Sequence, residues 1–135
     1  MSNLMPSSSV GGKDYTGICV VDDDFAVRGA VVRLLRSKNF EAKAFASASE
    51  FLKSRCQRTA RCLILDIKMD GLSGLDLQNQ LNADDNRIPI IFISAHADAD
   101  TRARAMSAGA IDVLSKPFSE EALLACVRHA LTQSE

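Results

Sequence analysis

Cys62-Leu63-Ile64-Leu65-Asp66 is the stretch that decides the architecture of this chain. Four consecutive apolar residues are too few for a helix and have no polar face. They suit a strand buried on both sides, and the run stops on a carboxylate. Ile18-Cys19-Val20-Val21 upstream follows the same pattern and stops on Asp22-Asp23-Asp24. Downstream, Ile88 to Ile93 ends on Ser94, with Pro89 near the start of the run, where a missing donor is tolerated. Phe40 to Phe45 and Ile111 to Leu114 read as two more strands, the last leading to Lys116.

Between these runs the apolar period changes from two to that of a helix. Val27, Ala30, Val31, Leu34 and Leu35 predict a helix from Phe25 to Ser37, with Asn39 as its stop. Ser47 is placed to cap a helix containing Phe51 and Leu52, and Ser47 with Glu50 has capping-box spacing. A loop with Gly71 and Gly74 precedes a helix through Leu75, Leu77 and Leu81. A fourth helix runs from Asp98 to Ser107 and stops at Ala108-Gly109. Ser119 opens a fifth, striped by Leu123, Leu124 and Val127. Five strand–helix units with continuous apolar strands predict an α/β fold, a doubly wound parallel sheet with helices on both faces. Sites in such sheets lie at the carboxyl ends of the strands.

Those ends carry the chemistry. Asp22 and Asp23, Asp66, Ser94 and Lys116 would meet on one rim. Crowded carboxylates must be relieved by a proton or a cation. Oxygen ligands without His or Cys select Mg2+, with Mn2+ or Ca2+ as substitutes, rather than zinc. Beside such a cation, Lys116 could neutralise an anion and Ser94 could hydrogen-bond to it. A carboxylate in that company is a nucleophile for phosphorus. Asp24 reads as a helix cap. Ser94 and His96 lack the acid and the strained turn of a hydrolase.

Composition narrows the field. The chain has 135 residues, 47% hydrophobic and 24% charged, the size and usage of one globular domain. A formal net charge of −1 gives no basic field for nucleic acid, and no apolar run is long enough to span a membrane. Met1 to Gly12 is polar and lacks a secretory signal, so the expected location is cytoplasmic. The four cysteines are scattered and read as small buried hydrophobes. Residues 1–15 are expected to be a disordered tail and 16–133 the domain.

In order and spacing, these motifs resemble the receiver domain of bacterial two-component response regulators, and within that family the FixJ-like receivers. They are Val21-Asp22-Asp23-Asp24 with Val27-Arg28, Leu63 through Met69, Leu72-Ser73-Gly74, Ile93-Ser94-Ala95-His96, Ala105-Met106 with Ala108-Gly109-Ala110, and Lys116-Pro117-Phe118. The resemblance covers about Tyr15 to Leu131. It implies a flavodoxin-like (βα)5 fold with strand order 2-1-3-4-5. It also implies Asp66 as phosphoacceptor, and Asp22 and Asp23 holding Mg2+ with Asp66 and the Lys68 backbone carbonyl, Asp23 as a direct ligand. Ser94 would be the hydroxyl that moves to the phosphoryl group, Lys116 its ion-pair partner, and the peptide before Pro117 cis. The implied phosphodonor is a sensor histidine kinase. A homodimer through the fourth helix, fifth strand and fifth helix is also implied, as is a DNA-binding output domain outside this chain, which would not itself contact nucleic acid or membrane. The chain would then be a self-phosphorylating switch rather than an enzyme with an external substrate.

Two positions depart from the family pattern. Val113 stands where an aromatic is usual, and Asp70-Gly71 where Pro follows Met69. Two rival readings remain. One is a receiver-like binding module that signals without phosphate. The other is a haloacid-dehalogenase-type phosphatase, which would need an acid where Lys68 stands.

Overall fold

The structure is a computed structural model that describes residues 16–133, so the tail expected over residues 1–15 lies outside the described residues. The elements in chain order are β1 (Ile18–Val21), α1 (Phe25–Ser37), β2 (Ala42–Phe45), α2 (Ala48–Ser54), a 3-10 turn (Cys56–Arg58), β3 (Cys62–Asp66), α3 (Gly74–Ala83), β4 (Ile90–Ser94), α4 (Ala99–Ser107), β5 (Asp112–Ser115) and α5 (Glu120–Gln133). All strands are parallel, in the order β2-β1-β3-β4-β5. The doubly wound sheet and the 2-1-3-4-5 order are therefore as expected.

Every residue of β1, β3 and β4 is buried, because helices cover both faces of the sheet. Side chains alternate between two half-cores. Cys19, Val21, Leu63, Leu65, Phe92 and Val113 pack with Phe51, Leu77 and Ala105 on one side. Ile18, Val20, Cys62, Ile64, Ile91 and Ile93 pack with Val31, Leu35, Leu123 and Val127 on the other.

Three strands start later than their apolar runs, β5 by a single residue, at Asp112. Asn39 adopts a left-handed φ of 70°, and the Phe40 N–H donates to Leu35 O at 3.0 Å. That closes the end of α1, so pairing in β2 begins at Ala42. Ile88 N–H donates to the Asn86 side chain, which delays β4 to Ile90. Ser47 caps α2 as expected, but Glu50 accepts from the Ala46 N–H rather than completing the box on Ser47. The cysteines are free, with Cys19, Cys56 and Cys62 buried. Burial pushes the Cys62 thiol up to about 12, consistent with the expected role as an inert hydrophobe.

Candidate functional site

The two-residue period of each strand decides which side chains meet at the rim. Asp22 continues the parity of Ile18 and Val20, and Asp66 that of Cys62 and Ile64. Both therefore emerge on the side of the sheet that α1 and α5 cover. Lys116, two residues past Leu114, reaches the same place. Its Nζ lies 2.9 Å from Asp22 Oδ2 and 3.4 Å from Asp66 Oδ2. Ser94 follows the parity of Phe92 and points to the other half-core. Its buried hydroxyl accepts from the His96 N–H at 3.1 Å.

The three consecutive acids have separate jobs. Asp24 caps α1, its Oδ1 accepting from Ala26 and Val27 N–H at 2.9 and 3.2 Å. Asp22 is fully buried, and its Oδ1 accepts from the Asp24 N–H at 2.8 Å. Asp23 is exposed, and its Oδ2 accepts from the Asp70 N–H at 3.4 Å. Carboxylate oxygens of Asp22, Asp23 and Asp66 all lie within 4.8 Å of one another.

Electrostatics follow from this crowding. Burial, and then the charge of Asp22, push the Asp66 carboxyl up to about 6, against the opposing pull of Lys116. Burial depresses the Lys116 ammonium, but Asp22 and Asp66 outweigh it and hold Lys116 above its ordinary value. Asp22 Oδ2 is buried and has no well-formed hydrogen bond, only the Lys116 charge. A buried oxygen whose partner is the Lys116 charge alone, grouped with two more carboxylates and, among the described residues, with no His or Cys in the cluster, fits a hard divalent cation.

Two contacts were not legible as part of the site. Arg28 Nη1 donates to Asp22 O at 2.7 Å, tying α1 to the strand end that carries both acids. Gly74 lies against the phosphoacceptor candidate's own backbone. A Cβ there would sit 2.3 Å from Asp66 O and 2.9 Å from Ile67 Cα, while its N–H donates to Ile67 O at 2.8 Å. The motif Leu72-Ser73-Gly74 marked the position, but spacing alone could not show the close approach. The Lys68 N–H donates to Asp66 Oδ1 at 3.3 Å, and its side chain is exposed. The Lys116-Pro117 peptide is cis. Val113 is buried, and its carbonyl accepts from Arg102 Nη1 at 2.6 Å.

The family model described as the response regulator receiver domain matches residues 18–128. The chain belongs to the response regulator receiver family. Among its relatives, the receiver is 48% identical over 114 residues to the response regulator protein TmoT of Ectopseudomonas mendocina, covering 84% of this chain and 52% of TmoT. It is 37% identical over 115 residues to the transcriptional regulatory protein FixJ of Azorhizobium caulinodans, covering 85% and 54%. Among solved structures, the response regulator StyR superposes with a TM-score of 0.81 at 47% identity, over 87% of this chain and 59% of that one. The chain thus spans about half the length of the curated relatives it matches. No helix among the described residues is long and apolar enough to cross a membrane.

Proposed function

We propose that this receiver is a Mg2+-dependent phosphoacceptor switch that takes a phosphoryl group from a sensor histidine kinase onto Asp66. The observation that carries the reading is the buried Asp66 carboxylate, set between two further acids and the Lys116 ammonium. With a pKa raised only to about 6, Asp66 is mostly ionised at neutral pH and is a competent nucleophile. One of its oxygens attacks phosphorus, the P–N bond of the phosphohistidine breaks, and neutral imidazole leaves after protonation. Asp22, Asp23, Asp66 and the Lys68 carbonyl would hold the divalent ion, which when bound would supply charge neutralisation for the transfer. Lys116, 3.4 Å from Asp66 Oδ2, is placed to pair with an oxygen of the new phosphoryl group. Ser94 would release the His96 N–H and turn its hydroxyl to another oxygen. The chain turns over no external substrate in this scheme, so it acts as a switch rather than an enzyme.

The output is a protein–protein event on the face of α4, β5 and α5, where a homodimer is the expected partner. Relatives named as transcriptional regulators support a role in transcription through a DNA-binding domain beyond the residues seen here. A cytoplasmic location follows from that role. The test is intact mass after incubation with acetyl phosphate and MgCl2. One added phosphoryl group, lost in Asp66→Ala and without Mg2+, supports the proposal. No gain, with Mg2+ binding established separately, favours the phosphate-independent module, toward which the missing aromatic at Val113 points. Turnover of a generic phosphomonoester would instead favour the phosphatase, against which the exposed Lys68 stands.

A further inference from the structure

Asp70-Gly71 is the one place in the chain where an Asp or Asn is followed by glycine. Every other Asp and Asn precedes a residue with a side chain, whose Cβ crowds the next backbone nitrogen. Both residues of the pair are exposed, in the bend that joins β3 to α3, outside any helix or strand. Gly71 has a φ of 81°, and a Cβ built on it meets nothing within 4 Å. Among the described residues the Gly71 N–H has no acceptor, and no hydrogen bond or ion pair holds the Asp70 carboxyl.

That combination opens Asp70 to attack by its own chain. Rotation about the Asp70 backbone brings the Gly71 nitrogen to Asp70 Cγ, and neither a hydrogen bond nor a neighbouring side chain opposes the turn. The nitrogen attacks Cγ of the protonated carboxyl. An N–C bond forms, a C–O bond breaks and one water leaves, giving a cyclic succinimide. Water then opens the ring at one of its two carbonyls. Addition at Cγ restores aspartate. Addition at the main-chain carbonyl breaks its bond to nitrogen and leaves the chain running through Cβ and Cγ, an isoaspartyl residue. The water lost on closing is regained on opening, so no other reactant is needed.

We propose that Asp70 is a site of spontaneous isoaspartyl formation, and that the modified loop loosens Asp23 as a metal ligand. The two ends of the loop are fixed. The Gly74 N–H donates to Ile67 O at 2.8 Å, and Gly74 packs on the backbone of Asp66. The added main-chain methylene is therefore taken up within residues 68–73, with β3 and α3 in place. In this segment the Asp70 N–H donates at 3.4 Å to Oδ2 of the exposed Asp23. This bond belongs to this chain rather than to the pattern it resembles, since a Pro after Met69 has no N–H to give. Isoaspartyl formation exchanges one carboxylate for another, so the charge near the cation stays the same and only the geometry changes. The consequence for Asp23 rests on the metal site of the phosphoacceptor reading, whereas the modification itself does not.

Tryptic peptides of wild-type protein aged for several weeks in neutral buffer test the site. They are incubated with an isoaspartyl-specific carboxyl methyltransferase and labelled S-adenosylmethionine. The peptide from Met69 to Arg87 should accept methyl groups, with fragmentation placing the isoaspartate at residue 70. Asp70→Glu, whose longer side chain closes a larger ring, should abolish the label, and Gly71→Ala should slow its appearance. No label at residue 70, or equal label at Asp76, Asp84 or Asp85, would overturn the site, as would Gly71→Ala labelling as fast as wild type. Chromatography of the intact aged protein then separates modified from unmodified chains for calorimetric titration with MgCl2. The modified fraction should bind Mg2+ about tenfold more weakly, the usual cost of disturbing a group that orients a metal ligand. Its urea midpoint should match that of the unmodified fraction. Equal Mg2+ affinity would overturn the coupling to Asp23, and a lowered urea midpoint would overturn its confinement to the loop. An unmodified fraction that binds no Mg2+ would refute the metal reading and the coupling with it, with the modification still decided by the peptides.

Discussion

Gly74→Ala isolates how the fold sets the position of the proposed phosphoacceptor. The added Cβ meets Asp66 O at 2.3 Å, Ile67 Cα at 2.9 Å and Asp66 C at 3.1 Å. All three are backbone atoms, so no rotamer change relieves the overlap. Contact at ordinary van der Waals distance requires more than 1 Å of separation, and the Gly74 N–H to Ile67 O bond must stretch with it. Overpacking in a well-filled core costs about 1–3 kcal/mol, and a backbone clash belongs at the upper end, about 3 kcal/mol. For a domain of this size that lowers Tm by roughly 10 °C. The same movement displaces Asp66, and a misplacement of about 1 Å costs on the order of a hundredfold in a positioned reaction. Urea unfolding and the rate of mass gain from acetyl phosphate measure the two effects. Gly71→Ala is the control: it has a φ of 81° but nothing within 4 Å of its Cβ. It should cost about 1 kcal/mol of strain and leave the phosphorylation rate within severalfold. If Gly74→Ala were as mild as Gly71→Ala in both assays, the close approach could not be what positions Asp66.

Four further outcomes follow from the rim. Lys116→Met leaves Asp22 Oδ2 buried without its charge partner and should cost about 3 kcal/mol, a deficit that 10 mM MgCl2 narrows; urea melts with and without Mg2+ decide it. The Asp66 carboxyl is raised from 3.8 to about 6, so its charged form is disfavoured by folding. Its cost is therefore least below pH 3.8, grows as pH rises from 3.8 to about 6, and is level above that. In EDTA, Asp66→Asn should gain about 2 kcal/mol on the wild type between pH 4 and pH 7.5, and equal gains at both pH values would contradict the burial argument. MgCl2 at ten times its Kd should stabilise the wild type by about 1.4 kcal/mol, visible as a rise in Tm, and Asp23→Asn should abolish most of the rise. Val113→Phe should alter the exchange of α4 amides more than the rate of phosphorylation, and equal effects on both would refute a role in output.

Much of this was legible because burial and charge are written in the same runs. β3 shows four apolar residues and then Asp66, and that order gives both a strand sealed on two faces and the rim to which its acid is delivered. Asp24 as cap, Asn39 as helix stop and the end of α4 at Ala108-Gly109 were readable from local chemistry. Contacts between distant segments were not readable from spacing. The Lys116 ammonium reads as a partner for an incoming anion, whereas in the fold it lies nearer Asp22 than Asp66. Arg28 stands in the quoted motif, but its spacing gave no sign that its guanidinium would reach Asp22 O. The 3-10 turn at Cys56–Arg58 carries no periodic signal, being three residues that follow a left-handed Arg55. Strand parity could have separated Ser94 from the acids in advance, since Phe92 and Ser94 share one face while Ile64 and Asp66 share the other.

The sheet, whose three central strands are fully buried, also partitions the molecule genetically. Residues in the Phe51–Leu77–Phe92 half-core and in the Leu35–Leu123–Val127 half-core lie on opposite sides of it. Substitutions in one half should therefore add to those in the other, as separated sites do. Each half is free to drift at its own pace, one beneath α2, α3 and α4 and the other beneath α1 and α5. At the rim that independence ends, because Asp22, Asp66 and Lys116 are delivered from one side and Ser94 from the other. Epistasis in this domain should accordingly concentrate at the carboxyl edge of the sheet.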